Sequence, residues 1–186
     1  MRLFLDDTKG VGVAVTADGD IVSVFKNPNK SHARGSVSSV LFTALNNGGV
    51  KLDNFNGKLS QMYVQHGFIP VARTAFVDEY APDDWNYERD GRPDIIFWIH
   101  NGESVEQIAK TLGTREMPDL SQLPLMDYEE AAKYRDSLLA NRNETLTSST
   151  ITSFDTGDVS SKSGTVFLHK RRKHFWRRRR FVKRTK

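Results

Sequence analysis

The chain has 186 residues, 38% of them hydrophobic and 10% aromatic, enough to bury the core of one ordinary domain with additions. It contains no cysteine, which excludes disulfides and thiolate-bound zinc and leaves packing and hydrogen bonds to hold the fold. The net charge of +4 hides an asymmetry. Residues 170 to 186 hold eleven of the 27 Lys and Arg and no acid, leaving 16 basic against 23 acidic residues in the body, a net −7.

No apolar run is long enough for a transmembrane span. The opening Met1-Arg-Leu-Phe-Leu-Asp-Asp7 lacks the apolar stretch and cleavage site of a secretory signal, so an unexported protein is expected. From there, Leu3 to Leu5, Val11 to Val15 and Ile21 to Phe25 read as three strands. Asp18-Gly19 supplies the positive backbone angles of a hairpin turn between the last two, and an antiparallel meander results.

Val37, Val40, Leu41, Ala44 and Leu45 then fall on one apolar helix face, and Asn47-Gly48-Gly49 stops that helix. Its N-terminus follows a loop containing Arg34, Gly35 and Ser36. Free backbone N–H groups and a positive dipole end point outward there, the chemistry of a phosphate site. An ordinary capped helix start is the commoner meaning of such a stretch.

Val50 to Phe55 alternates as a short strand. Leu59, Met62, Tyr63 and His66 share one face of a short helix stopped by Gly67, and Phe68 to Val77 is the next strand, where Pro70 signals an edge, a bulge or a strand start. An acidic and aromatic loop, Glu79 to Asp94, leads to the buried strand Ile95 to Ile99. Residues 1 to 100 therefore predict a mixed, mostly antiparallel α/β sheet with flanking helices.

Beyond residue 100 the strand pattern ends. Ser104-Val-Glu-Gln107 is a capping box that opens a short helix through Leu112. Met117 to Pro124 reads as an extended connection, and Asp127 caps a helix from Tyr128 to about Ala140 with Tyr128, Ala131, Arg135 and Leu138 along one side. Residues 101 to 140 thus form a helical extension suited to docking on the domain or on a protein partner, and 141 to 164 a Ser/Thr-rich linker.

The segment from 165 to 186 is a basic arm. Lys170, Arg171, Arg172, Lys173, Arg177, Arg178, Arg179, Arg180, Lys183 and Arg184 surround Phe175, Trp176 and Phe181. Such a charge run seeks an anionic partner, and interleaved aromatics can stack on bases or enter beneath lipid headgroups. Nucleic acid is the commoner partner for an arm of this kind, ahead of a membrane or an acidic protein surface. The five histidines show no metal-ligand spacing, serine-nucleophile motifs are absent, and the Asp78-Glu79 and Asp83-Asp84 pairs read as solvated loop charge.

The order of elements and the segment Leu59-Ser-Gln-Met-Tyr-Val-Gln-His-Gly-Phe68 resemble the GNAT superfamily of N-acetyltransferases over roughly residues 1 to 99. More narrowly, Lys51 to Phe68 and Glu79 to Asn86 are similar to acetyltransferase-like proteins encoded by tailed bacteriophages. The resemblance implies an opening between two central strands that takes acetyl-coenzyme A. Its pyrophosphate would lie on the loop His32-Ala-Arg-Gly-Ser-Val37, so Arg34, Gly35, Ser36 and Val37 become the cofactor-binding candidates. Tyr63 takes the place of the general acid that protonates the departing thiolate.

Gly35 matches that family's loop pattern, whereas His32 and Val37 depart from it, and the N-terminal elements that form the family's acceptor wall are missing. The resemblance leaves two functions in view. One is acyl-coenzyme-A-dependent N-acetyl transfer, with the arm on nucleic acid. The other is a non-catalytic structural protein of a phage virion that uses the fold as a scaffold and the arm to contact packaged DNA or another virion component. The expected location is host cytoplasm or virion.

Overall fold

A computed structural model describes residues 1–7, 9–30 and 33–151. The predicted meander is present: β1 (Arg2–Leu5), β2 (Val11–Val15) and β3 (Ile21–Lys26) pair antiparallel in the order β1-β2-β3. Gly19 at the β2–β3 turn has φ 81°. The Thr16 and Asp20 backbones and the Thr16 hydroxyl close that turn.

The helix α1 (Ser36–Asn46) follows, then β4 (Lys51–Phe55), α2 (Lys58–Gln65) and β5 (Phe68–Thr74). The single turn α3 (Tyr87–Asp90) lies in the acidic loop ahead of β6 (Ile95–His100). β6 is the central strand of a second antiparallel sheet, ordered β4-β6-β5. Pro70 sits beside a register shift on β5, so the bulge and the edge that a strand proline signals occur together.

The sheet expected as one is therefore two three-stranded sheets. Among the described residues they join through one parallel bridge, Asp20 to Lys51. α1 and α2 pack on the same side of both, and alternation explains the shared core. Val11, Val13 and Val15 of β2, Leu52 of β4, and Ile96 and Trp98 of β6 all face Val40, Leu41, Tyr63 and Val64.

After α4 (Val105–Thr111), whose Ser104–Gln107 capping box forms as predicted, the connection is not wholly extended. It contains a 3-10 turn, Leu120–Gln122, and Leu120 enters the main core. The last helix, α5 (Tyr128–Ile151), continues eleven residues past Ala140, where a linker was expected. Elongating an existing helix needs no new nucleus, which outweighs the weak propensities of the Ser, Thr and Asn residues there. Arg142 also ties this extension to the sheet by donating to the His100 carbonyl.

α5 packs on the other side of the second sheet, where Ala131 meets Ala72 and Phe97. No helix among the described residues is long and apolar enough to cross a membrane.

Candidate functional site

β3 and β4 run parallel, linked through α1, and among the described residues their backbone pairing begins and ends at one place. The Gly19 carbonyl accepts from the N–H groups of Val50 at 2.8 Å and Lys51 at 3.2 Å. Beyond this point neither strand has the other as a ladder partner. Two strand edges whose peptide groups are unused among the described residues thus face a split that starts at Asp20 and Lys51 and runs toward the C-terminal ends of both strands. In α/β folds ligands gather at such ends.

The N-terminus of α1 follows the β3 end of the split. Gly35 is its N-cap, with φ 85° and open space where a Cβ would stand. No side chain accepts a cap hydrogen bond, and the first turn holds no acid. Ser36 N–H reaches the Ala33 carbonyl at 3.2 Å and Ser39 N–H the Gly35 carbonyl at 3.0 Å, while the N–H groups of Val37 and Ser38 have no partner among the described residues.

A positive dipole end with unused donors is left beside the exposed Arg34. Val37 does not obstruct it. Its side chain is half-buried against the main core, so the β-branched carbons point inward. His32 lies outside the described residues.

α2 holds Tyr63 in place through a relay of polar groups. The Trp98 indole N–H donates to Asn54 Oδ1 at 2.7 Å, and Asn54 Nδ2 donates to Ser60 Oγ at 3.2 Å. Ser60 Oγ also accepts from Gly57 N–H at 3.2 Å, which fixes the first turn of α2 to β4. The Tyr63 ring lies 5.9 Å from Phe68 and 6.1 Å from Trp98. It is 4% exposed, and its hydroxyl has no hydrogen-bond partner among the described residues. Burial, and next the charge of Asp53, pushes the phenol above its ordinary pKa, so it stays protonated and keeps a proton to donate.

At the closed end of the split lies a charged cluster that the sequence reading did not assemble. Arg135 of α5, 4% exposed, reaches Asp20 at 3.4 Å, Asp53 at 3.8 Å and Asp136 at 2.9 Å. Lys51 joins Asp18 at 3.0 Å to Asp136 at 3.1 Å, and the Tyr128 hydroxyl donates to Asp53 at 3.1 Å. The signal was an arginine four residues after Ala131 on the buried stripe of α5, a position that demands buried acceptors. Two of its partners, Asp20 and Asp53, lie more than 80 residues away in sequence, beyond the reach of spacing arguments.

Burial raises Asp20 to about 6 against the pull of Arg135, and raises Asp53 as well. The native state thus holds the Asp20 proton more tightly than the unfolded chain. Its contribution to stability is present below pH 3.8 and is lost as pH rises through about 6. His100 is opposite in sign. Burial, then the Arg142 charge, lowers it from 6.5 to about 4, so its contribution is present above pH 6.5 and is lost as pH falls through about 4. Asp20→Asn removes the first trend and leaves the second. The variant should therefore lose stability more steeply than the wild type between pH 6.5 and pH 4, measured by urea unfolding. Parallel curves would contradict the assignment.

A cleft of about 310 Å³ lies elsewhere, at the C-terminal end of α1, lined by Asn46, Val50, His100, Glu103 and Arg142 among others. It is at the far end of α1 from Gly35, so it is not the predicted anion loop. No group of three or more His, Cys, Asp or Glu able to hold a metal occurs among the described residues. The arm candidates Lys170, Arg171, Arg172, Lys173, Trp176, Arg177, Arg178, Arg179, Arg180, Lys183 and Arg184 lie outside the described residues. No family model, curated protein or solved structure matches the chain.

Proposed function

We propose that this chain is an acetyltransferase-like protein of the kind encoded by tailed bacteriophages, taking an acyl-coenzyme A between β3 and β4 and passing the acyl group to an amine. The observation that carries this reading is the split itself. Two parallel strands part after one bridge, and the uncapped N-terminus of α1 stands at the end of one of them.

The chemistry follows from the groups present. The free N–H groups of Val37 and Ser38, with Arg34, would hold a pyrophosphate. Gly35 supplies the left-handed turn that aims them, and Ser36 adds a hydroxyl. The unused edges of β3 and β4 suit an extended, amide-bearing arm, which would bind as an added strand does. As the acceptor nitrogen bonds to the acyl carbon and the carbon–sulfur bond breaks, Tyr63 would give its proton to the departing sulfur, and the proton lost by the nitrogen would restore the phenol. No acyl-enzyme is needed, and no cysteine is present to form one. Acetyl-coenzyme-A-dependent release of free thiol in the presence of a primary amine tests the reading; release no faster with protein than without it would refute catalysis.

A second reading is favoured by one observation. The Tyr63 phenol is almost wholly buried, and the Arg135 cluster pins α5 across the closed end of the split, an arrangement that also serves a rigid, non-catalytic scaffold in a phage particle. Both readings give the arm the same role. Deleting residues 170 to 186 should abolish DNA binding together with its salt dependence, measured by fluorescence anisotropy across a salt series. A truncated protein that kept its affinity and salt slope would refute that role.

A further inference from the structure

The two sheets have four lateral edges, and the chain treats them differently. The edge of β5 is covered: Arg73 N–H donates to the Pro124 carbonyl at 3.0 Å, Met126 N–H donates to the Arg73 carbonyl at 3.0 Å, and Arg73 bridges Leu125. Pro70 and the adjacent bulge blunt it further. The edges of β3 and β4 face each other across the split. β1 has β2 on one side and, among the described residues, no strand on the other.

The outward groups of β1 can be identified. Asp6 N–H donates inward to the Val11 carbonyl at 2.9 Å. Alternation then turns the backbone groups of Phe4 and Arg2 inward too, leaving the N–H and C=O groups of Leu3 and Leu5 on the free edge. The side chains of Leu3 and Leu5 are 57% and 44% exposed. They lie on the sheet face opposite α1, where Phe25 and Leu5 close over Gly12 so tightly that a Cβ there would clash with the Phe25 ring and stand 2.7 Å from Leu5. α5 packs against β5 and β6, and Leu3, Leu5 and Phe25 stay exposed.

We propose that this edge is a homodimer interface, in which β1 pairs antiparallel with β1 of a second copy about a two-fold axis through Phe4. The segment Arg2-Leu-Phe-Leu-Asp6 is self-complementary in that register. Leu3 stands opposite Leu5 of the second copy, and the two exchange backbone hydrogen bonds through the groups that point outward. Phe4 faces Phe4. Arg2 and Asp6 keep their bonds within the chain, Arg2 to Asn47 and Asp6 to the Gly10 and Val11 N–H groups, so the leucine pairs carry the register.

The alternatives are worse. A one-residue slip turns the exposed leucines of one copy to the α1 face of the other. A two-residue shift in either direction leaves one leucine pair where this register makes two. The interface is isologous, so it closes at two copies and builds no fibre. It does not depend on the acyl-transfer reading.

Sedimentation equilibrium on the full chain, at up to about 100 µM, should give the dimer mass. Replacing both Leu3→Lys and Leu5→Lys sets lysine against lysine and should give a monomer. Leu3→Lys with Leu5→Glu sets opposite charges face to face and should restore the dimer. Both positions are exposed and their N–H groups serve no bond among the described residues, so all three proteins should share one circular dichroism spectrum.

A monomeric wild type, a dimeric double-lysine variant, or a Lys/Glu variant that stays monomeric while the wild type dimerises would overturn the proposal. So would a monomeric wild type whose Leu3 and Leu5 amides are protected from hydrogen exchange, since that would assign the edge to another segment of the same chain.

Discussion

Replacing Arg135 with alanine is expected to remove up to about 3–5 kcal/mol of folding stability, because it leaves two half-buried carboxylates without their cation. Arg135 is 4% exposed, hydrogen-bonded to Asp20 and Asp136 and ion-paired with Asp53 at 3.8 Å, so water cannot readily compensate for its loss. A loss of this size is a large fraction of the roughly 5–15 kcal/mol that holds a domain together.

Arg135→Lys should recover only part of it, since an ammonium cannot present the planar fork that reaches three carboxylates. Combining Arg135→Met with Asp20→Asn and Asp53→Asn should recover more, because no buried charge is then left alone. Urea unfolding followed by tryptophan fluorescence measures all three. A loss of less than about 1 kcal/mol for Arg135→Ala would place the cluster among weakly coupled surface pairs and refute its structural role.

Tyr63→Phe should separate chemistry from stability. If the phenol protonates the departing thiolate, its removal should slow acyl transfer by about 10²–10⁴-fold. Because Tyr63 is 4% exposed and its hydroxyl has no partner among the described residues, losing it should leave the thermal midpoint unchanged or raise it, since no hydrogen bond is broken. The ring contacts with Phe68 and Trp98 survive in phenylalanine. A variant with full transfer rate and a raised midpoint would make Tyr63 a core residue and favour the scaffold reading. Equal losses of rate and stability would mean that the hydroxyl has a structural partner.

Much of the body was legible in the sequence because its elements obey local rules. The strand alternation of Val11 to Val15, the apolar stripe of α1, the glycine stops after Asn47 and at Gly67, and the Ser104–Gln107 box each act within one or two turns of chain. What escaped depended on distant partners. The division into two sheets is a matter of which edges fail to pair, and no residue pattern marks an absent ladder. The Arg135 cluster needs Asp20, Lys51 and Asp53 brought under α5 by the fold. The length of α5 was underestimated because Ser, Thr and Asn were weighed by propensity alone, without the cost saved by extending a helix already formed.

The candidate site was legible in its parts and not as an assembly. Gly35 and Tyr63 were found from spacing and resemblance. The inward turn of Val37, which keeps the helix end open, required the packing of α1 on β2 to be seen.

The most direct test of the central claim is a calorimetric titration of acetyl-coenzyme A into the full chain. Binding between β3 and β4 predicts a saturable heat at one coenzyme per chain below about 1 mM. Arg34→Glu, which sets a like charge beside the pyrophosphate, should weaken that binding about tenfold, or about 1.4 kcal/mol. No heat at millimolar coenzyme, or binding indifferent to Arg34→Glu, would contradict the assignment of this split and helix end to an acyl-coenzyme A.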